Sequence, residues 1–273
     1  MKRGIALGGG GARGAYEMGA LKALKEMGYL KDLDMISGVS VGSINASVVA
    51  MDMLDQGENF WLSNRSETIF SQSSSVIKTL LDKKLTLLDK GFYETKALEA
   101  LMDDLFDFDK IRQKKVLVGV SYVGDENTGF FELIKANLKY VFENKKGMHY
   151  INLKSLSDED IKKTILASCA IPMMFKPVII DGKKYYDGGM YERLPITPLV
   201  ENKCDEVIAI DLFRLSFKRK AQIEDTKIIH IHPSKNLGRI MDFSKEKNQQ
   251  RFEIGYLDAK KAMHLYEVNS KEA

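Results

Sequence analysis

The chain has 273 residues, of which 44% are apolar and 29% charged, enough to bury one large α/β core and unlike a disordered chain or a coiled coil. Its 41 basic and 38 acidic residues leave a net charge of only +3, so the total carries no nucleic-acid footprint. The start, MKRGIALGGGG, is too briefly apolar for a secretory signal and no long apolar run follows. The expectation is therefore a cytoplasmic chain without a transmembrane helix, one that touches a membrane surface only transiently.

In chain order, Arg3 to Leu7 reads as a short buried strand, the glycines after it as a loop, and Ala12 to Met27 as a helix stopped by Gly28. Asp34 to Ser37 is a second strand, Gly38 to Gly42 a tight turn, and Val41 to Leu54 a helix of small and apolar residues. Strand, helix and strand in this order predict a βαβ unit with parallel strands. Gln56 to Asp109 reads as mostly helical, a cap-like insertion over about 56–110, with Ser71 to Ser75 as a loop. Strands are expected at Lys115 to Val123 and Gly129 to Lys135, a helix from Ser157 to Ala170 with a capping serine, and a hairpin turning at Asp181-Gly182. Strands at Glu206 to Leu212 and Lys227 to His232 precede a C-terminal helix from about Leu237. No repeat or linker divides the chain, which predicts one domain over 1–273.

Two motifs carry the chemistry. Gly38-Val39-Ser40-Val41-Gly42 is a GxSxG between strand and helix, the context of a nucleophile elbow, and the helix beginning at Val41 turns its positive end toward Ser40. Neighbouring parallel strands lie about 4.8 Å apart and open their loops on one edge, which brings Gly8 to Arg13 beside Ser40. Gly9 to Gly14 also fits GxGxxG, the mark of a dinucleotide site. That reading needs an acidic residue at the end of the second strand, where this chain has Ser37-Gly38-Val39-Ser40; Asp34 lies at its start, and no GK[ST] follows the glycines. The anion that suits these amides is a transient oxyanion.

A serine nucleophile needs a base. The histidines are His149, His230, His232 and His264; a strand-end loop could at best use His230 or His232, and both read as structural or partly exposed rather than as a general base. Asp187 is the stronger candidate, because it ends a strand and Gly188-Gly189 lets the backbone come close to another element. Cys169 and Cys204 lack ligand spacing and read as buried thiols, so neither metal nor cofactor is expected.

Taken together, GGGGARG, GVSVG, and the stretch LASCAIPMMFKPVIIDGKKYYDGG resemble the patatin-like phospholipases over about residues 2–198. The resemblance implies a three-layer α/β/α fold with a mostly parallel central sheet and a Ser-Asp dyad at the strand carboxyl ends. It implies Ser40 as nucleophile, Asp187 as base, and an oxyanion hole of amides around Gly9, Gly10 and Gly11. Arg13 and Gly14 would support that loop, and Gly38, Gly42, Gly188 and Gly189 are the motif glycines. The implied activity is hydrolysis of carboxylic esters of phospholipids, lysophospholipids or acylglycerols. One departure stands out: where the family often has asparagine before the proline, this chain has Glu192 and Arg193.

Lipid is suggested further by Val76 to Leu88, whose apolar positions share one helical face, as in an interfacial helix or lid and equally in a buried core helix. Two other readings are a nucleotide-binding α/β protein using the glycine loop and a catalytically inactive lipid-binding module.

Overall fold

A computed structural model describes residues 1–69, 96–125, 147–172, 174–214 and 222–272. The strand expected at Gly129 to Lys135, the loop at Ser71 to Ser75 and the amphipathic stretch Val76 to Leu88 lie outside the described residues.

The described sheet has nine strands. Its centre is five parallel strands in the order β3 (Lys115–Asp125), β2 (Met35–Val39), β1 (Arg3–Leu7), β7 (Glu206–Ile210) and β9 (Thr226–Ile231). Antiparallel strands flank it: β4 (Met148–Asn152), β5 (Val178–Ile180) and β6 (Lys183–Asp187) on one side, β8 (Gln222–Ile223) on the other. The mostly parallel sheet is thus parallel at its core and antiparallel at its margins.

The central strands are apolar on both faces because both are covered. Ile5, Leu7, Ile36, Val118, Ile208 and Ile210 pack beneath the main helices, α1 (Gly14–Glu26), α2 (Val41–Ala50), α3 (Leu54–Leu62), α4 (Lys96–Leu105), α5 (Phe108–Gln113), α6 (Asp158–Cys169) and the long C-terminal helix. The alternate residues Ala6, Met35, Leu117, Val207 and Ala209 face a smaller cluster under α7 (Thr197–Glu201), whose Leu199 fills it. One helical layer is therefore thick and the other thin. Ser157 caps α6 as expected, its Oγ accepting the Asp160 amide at 3.1 Å. The Asp181-Gly182 hairpin forms as expected, with both residues at positive φ.

The C-terminal helix, α8 (Lys245–Glu272), starts later than the pattern from Leu237 predicts. The cause is Arg251, 1% exposed, which donates to the carbonyls of Leu237, Arg239 and Asp242 and so holds 237–242 as a folded loop. Helix α8 crosses α1 at very short range. A Cβ on Gly19 would collide with the Phe252 carbonyl, and one on Gly255 with the Tyr16 carbonyl.

Strand β3 sets the geometry of the functional edge. Its residues 117–119 pair with both β2 and β4, and residues 120 and 121 with both β4 and β6, so β2 and β6 must share one edge of β3. They meet end to end there: Val39 pairs with Gly119 and Asp187 with Val120. A parallel strand and an antiparallel strand thus deliver Ser40 and Asp187 to one point.

Candidate active site

Ser40 occupies the turn between β2 and α2 with φ 55° and ψ −131°, a backbone conformation that costs a non-glycine residue on the order of 1–3 kcal/mol. Neighbouring groups hold it there. Its amide donates to Ser168 Oγ at 2.8 Å, and its carbonyl accepts from the Ser43 amide at 2.8 Å and the Ser43 hydroxyl at 2.6 Å. The flanking glycines are required by crowding: a Cβ on Gly42 would collide with the Leu7 carbonyl, and one on Gly38 with the Gly42 carbonyl.

The Ser40 hydroxyl lies against the Asp187 carboxylate, near enough to favour its ionised form. Asp187 is 7% exposed and is fixed on three sides: its amide donates to the Ala170 carbonyl at 2.9 Å, its carbonyl accepts from Ser121 Oγ at 2.8 Å, and its Oδ1 accepts from the Gly189 amide at 2.7 Å. Burial pushes its pKa up, the nearby Ser40 hydroxyl and the Gly189 amide pull it partly back, and the result is about 6. Gly188 lets this turn lie on β3, since a Cβ there would sit 2.5 Å from the Gly119 carbonyl.

The glycine loop after β1 lies against this pair; a Cβ on Gly9 would be 3.2 Å from that of Ser40. Its amides are not equivalent. The Gly9 amide, expected among the oxyanion donors, is engaged by the Arg193 carbonyl at 2.7 Å, and the Ala12 amide by the Ile240 carbonyl at 2.7 Å. Among the described residues the amides of Gly10 and Gly11 have no such partner. Arg13 supports the loop from its side, donating to the carbonyls of Leu212 at 3.2 Å and Gly238 at 2.8 Å. Gly14 lets α1 start against α2 and α3: a Cβ there would be 2.6 Å from Val41 Cγ2 and 2.7 Å from the Trp61 ring.

Several contributors escape a reading of motifs. Ser168 bridges the Ser40 amide and the Gly119 carbonyl, the latter at 2.7 Å, and Ser37 ties β2 to the loop after β6 through the Pro195 carbonyl at 2.6 Å. Their only trace in the sequence is a small hydroxyl residue in an otherwise apolar element. Beneath the loop, buried Glu17 accepts from Asn45, which also accepts from the Trp61 indole, and burial raises the Glu17 pKa well above the ordinary carboxylate range.

No histidine reaches the pair. His149 stacks on Tyr122 in β4, His230 sits in β9 with β1 and β7 between it and β2, and His264 is on α8. Asp34 accepts the Arg3 amide at 2.8 Å at the opposite end of β1, away from the glycine loop. Among the described residues no cluster of metal-ligating side chains occurs and no helix is long and apolar enough to cross a membrane.

The patatin-like phospholipase family model matches residues 5–200. An uncharacterised NTE family protein of Mycobacterium bovis is 27% identical over 208 residues, 76% of this chain and 48% of its own length. Lysophospholipase NTE1 of Kluyveromyces lactis is 25% identical over 77% of this chain and 12% of its own. The chain thus spans about half or less of these relatives. Among solved structures, human GIVD cytosolic phospholipase A2 superposes with a TM-score of 0.55 at 9% identity, covering 97% of this chain and 59% of its own. VipD from Legionella pneumophila does so with 0.54 at 14%, covering 96% and 66%. These two establish likeness of fold.

Proposed function

The chain belongs to the patatin-like phospholipase family, and from that premise we propose that it is a serine lipid acyl hydrolase, cleaving carboxylic esters of phospholipids, lysophospholipids or acylglycerols through an acyl-enzyme on Ser40. The observation that carries the reading is the meeting of β2 and β6 on β3, which sets a strained serine against a buried carboxylate whose pKa lies at about 6. An ordinary aspartate is too weak a base for a hydroxyl. Asp187 is stronger, and above its pKa it is ionised and ready to accept.

As Ser40 Oγ attacks the ester carbon, Asp187 takes its proton and the carbonyl electron pair moves onto oxygen. The amides of Gly10 and Gly11 hold that oxyanion, each donor contributing about 2.7–4 kcal/mol in the transition state, with the start of α2 adding its positive end. Collapse expels the alcohol, which leaves with the proton from Asp187. Water, deprotonated by the same carboxylate, then releases the fatty acid. Transient contact with a lipid surface supplies the substrate.

Hydrolysis of a short-chain aryl ester and labelling by a fluorophosphonate test the reading together. Wild type should turn over the ester and carry the label on Ser40, while Ser40→Ala does neither. An active Ser40→Ala chain, or labelling at another residue, overturns it. Mass spectrometry of products from a mixed lipid extract, with Ser40→Ala as blank, then sorts phospholipid from neutral lipid.

A further inference from the structure

We infer that Arg193 selects the substrate by receiving the phosphate of a phospholipid or lysophospholipid headgroup, an inference that rests on the Ser40–Asp187 reading above. The residues after β6 that depart from the family pattern, Glu192 and Arg193, do not pair with each other. Glu192 turns inward, accepting from the Tyr150 hydroxyl at 2.5 Å and the Thr197 amide at 3.0 Å. Arg193 is exposed, and its guanidinium carbon lies 4.3 Å from the centroid of the Phe213 ring.

Three contacts place this residue beside the glycine loop and the turn after Asp187. The Arg193 carbonyl holds the Gly9 amide, and its Cγ is 3.8 Å from where a Cβ on Gly189 would stand, the glycine whose amide donates to Asp187. The third is Arg13, whose guanidinium carbon lies 4.6 Å from the same Phe213 ring. The nearby charge of Arg193 lowers the Arg13 pKa, after the larger effect of burial.

The two guanidiniums differ in what they have left to offer. Arg13 spends donors on the Leu212 and Gly238 carbonyls. The Arg193 guanidinium has no hydrogen bond and no carboxylate partner among the described residues. Stacking on Phe213 orients its plane without consuming its N–H groups, and a second positive charge stands beside it. Such an arrangement attracts an anion, and the planar fork matches two oxygens of a phosphate. In a glycerophospholipid the phosphate is a few bonds from the ester carbonyl, so a substrate with its carbonyl at Ser40 brings the phosphate to this rim.

The test compares kcat/KM for lysophosphatidylcholine with that for a monoacylglycerol of the same acyl chain, in wild type, Arg193→Ala and Arg193→Lys. The ratio of the two should fall by about tenfold in Arg193→Ala and recover in part in Arg193→Lys, which keeps the charge and loses the fork. A fall of less than threefold overturns the inference while leaving the hydrolase reading intact. Wild type that cleaves neither lipid removes that reading and this inference with it. As competitors of aryl-ester hydrolysis, glycerol 3-phosphate should inhibit at lower concentration than inorganic phosphate; equal or stronger inhibition by inorganic phosphate would assign the site to the free ion and overturn the headgroup role.

Discussion

The floor of the candidate site and its rim are made of different materials. The floor is a set of buried hydroxyls and strand ends: Ser168, Ser43 and Ser121 bond the backbone of Ser40 and Asp187, and Ser37 bonds the loop that follows. The rim is a pair of arginines on one aromatic ring. Short bonds from buried hydroxyls to backbone groups permit one geometry, whereas stacked cations on a partly open surface permit adjustment. Damage to the floor should therefore appear in kcat and folding, and damage to the rim in KM and substrate choice.

The largest effect expected is on the floor's reacting groups: Asp187→Asn should lower kcat for an aryl ester by about a thousandfold or more while circular dichroism stays native. Next comes Gly42→Ala, whose methyl has no room against the Leu7 carbonyl; a loss of about 3 kcal/mol or more, read as a large fall in Tm or in soluble yield, is expected. Ser168→Ala leaves the Ser40 amide and Gly119 carbonyl unpaired, so about 1–3 kcal/mol of stability and about tenfold in kcat should go, with KM little changed. If KM rises instead, the distinction between floor and rim fails. Arg13→Lys is a milder change, expected to raise KM a fewfold through loosening of the glycine loop.

Acidity offers a further test of the floor. With the Asp187 pKa at about 6, log kcat/KM should rise with unit slope below that pH and level off above it. Stability has the opposite dependence. A carboxyl whose pKa is raised on folding favours the protonated folded chain, so its contribution is fully present below the ordinary value of 3.8 and is lost as pH rises through about 6. Relative to wild type, Asp187→Asn should therefore gain Tm between acid and neutral pH. A wild-type activity plateau extending to pH 4 would contradict the burial argument.

Much of this was legible in the chain. The βαβ start, the elbow at Ser40, the hairpin at Asp181-Gly182 and the termination of β6 at Asp187 are local patterns, and local patterns survive folding because glycines and strand ends have few alternatives. What was not legible depends on distant partners. That Gly9 donates to Arg193, leaving Gly10 and Gly11 as the available amides, is decided by a residue on another loop. That α8 starts at Lys245 is decided by one buried arginine gathering carbonyls from the segment before it. Hydroxyls such as Ser168 carry no spacing signature, since a serine in an apolar helix is unremarkable until its partners are known.

The way the glycine loop is secured bears on where this protein can be cut. The segment matched by the family model stops at residue 200, yet the carbonyls that grip the loop come from Ile210, Leu212, Gly238 and Ile240, and Arg251 reaches back to the carbonyl of Ala12. A fragment trimmed to the matched segment would keep Ser40 and Asp187 and lose the clamp that holds the glycine loop beside them. The unit that holds the glycine loop thus extends at least to Arg251 in the C-terminal helix, and designs that transplant or truncate this scaffold should carry that helix along.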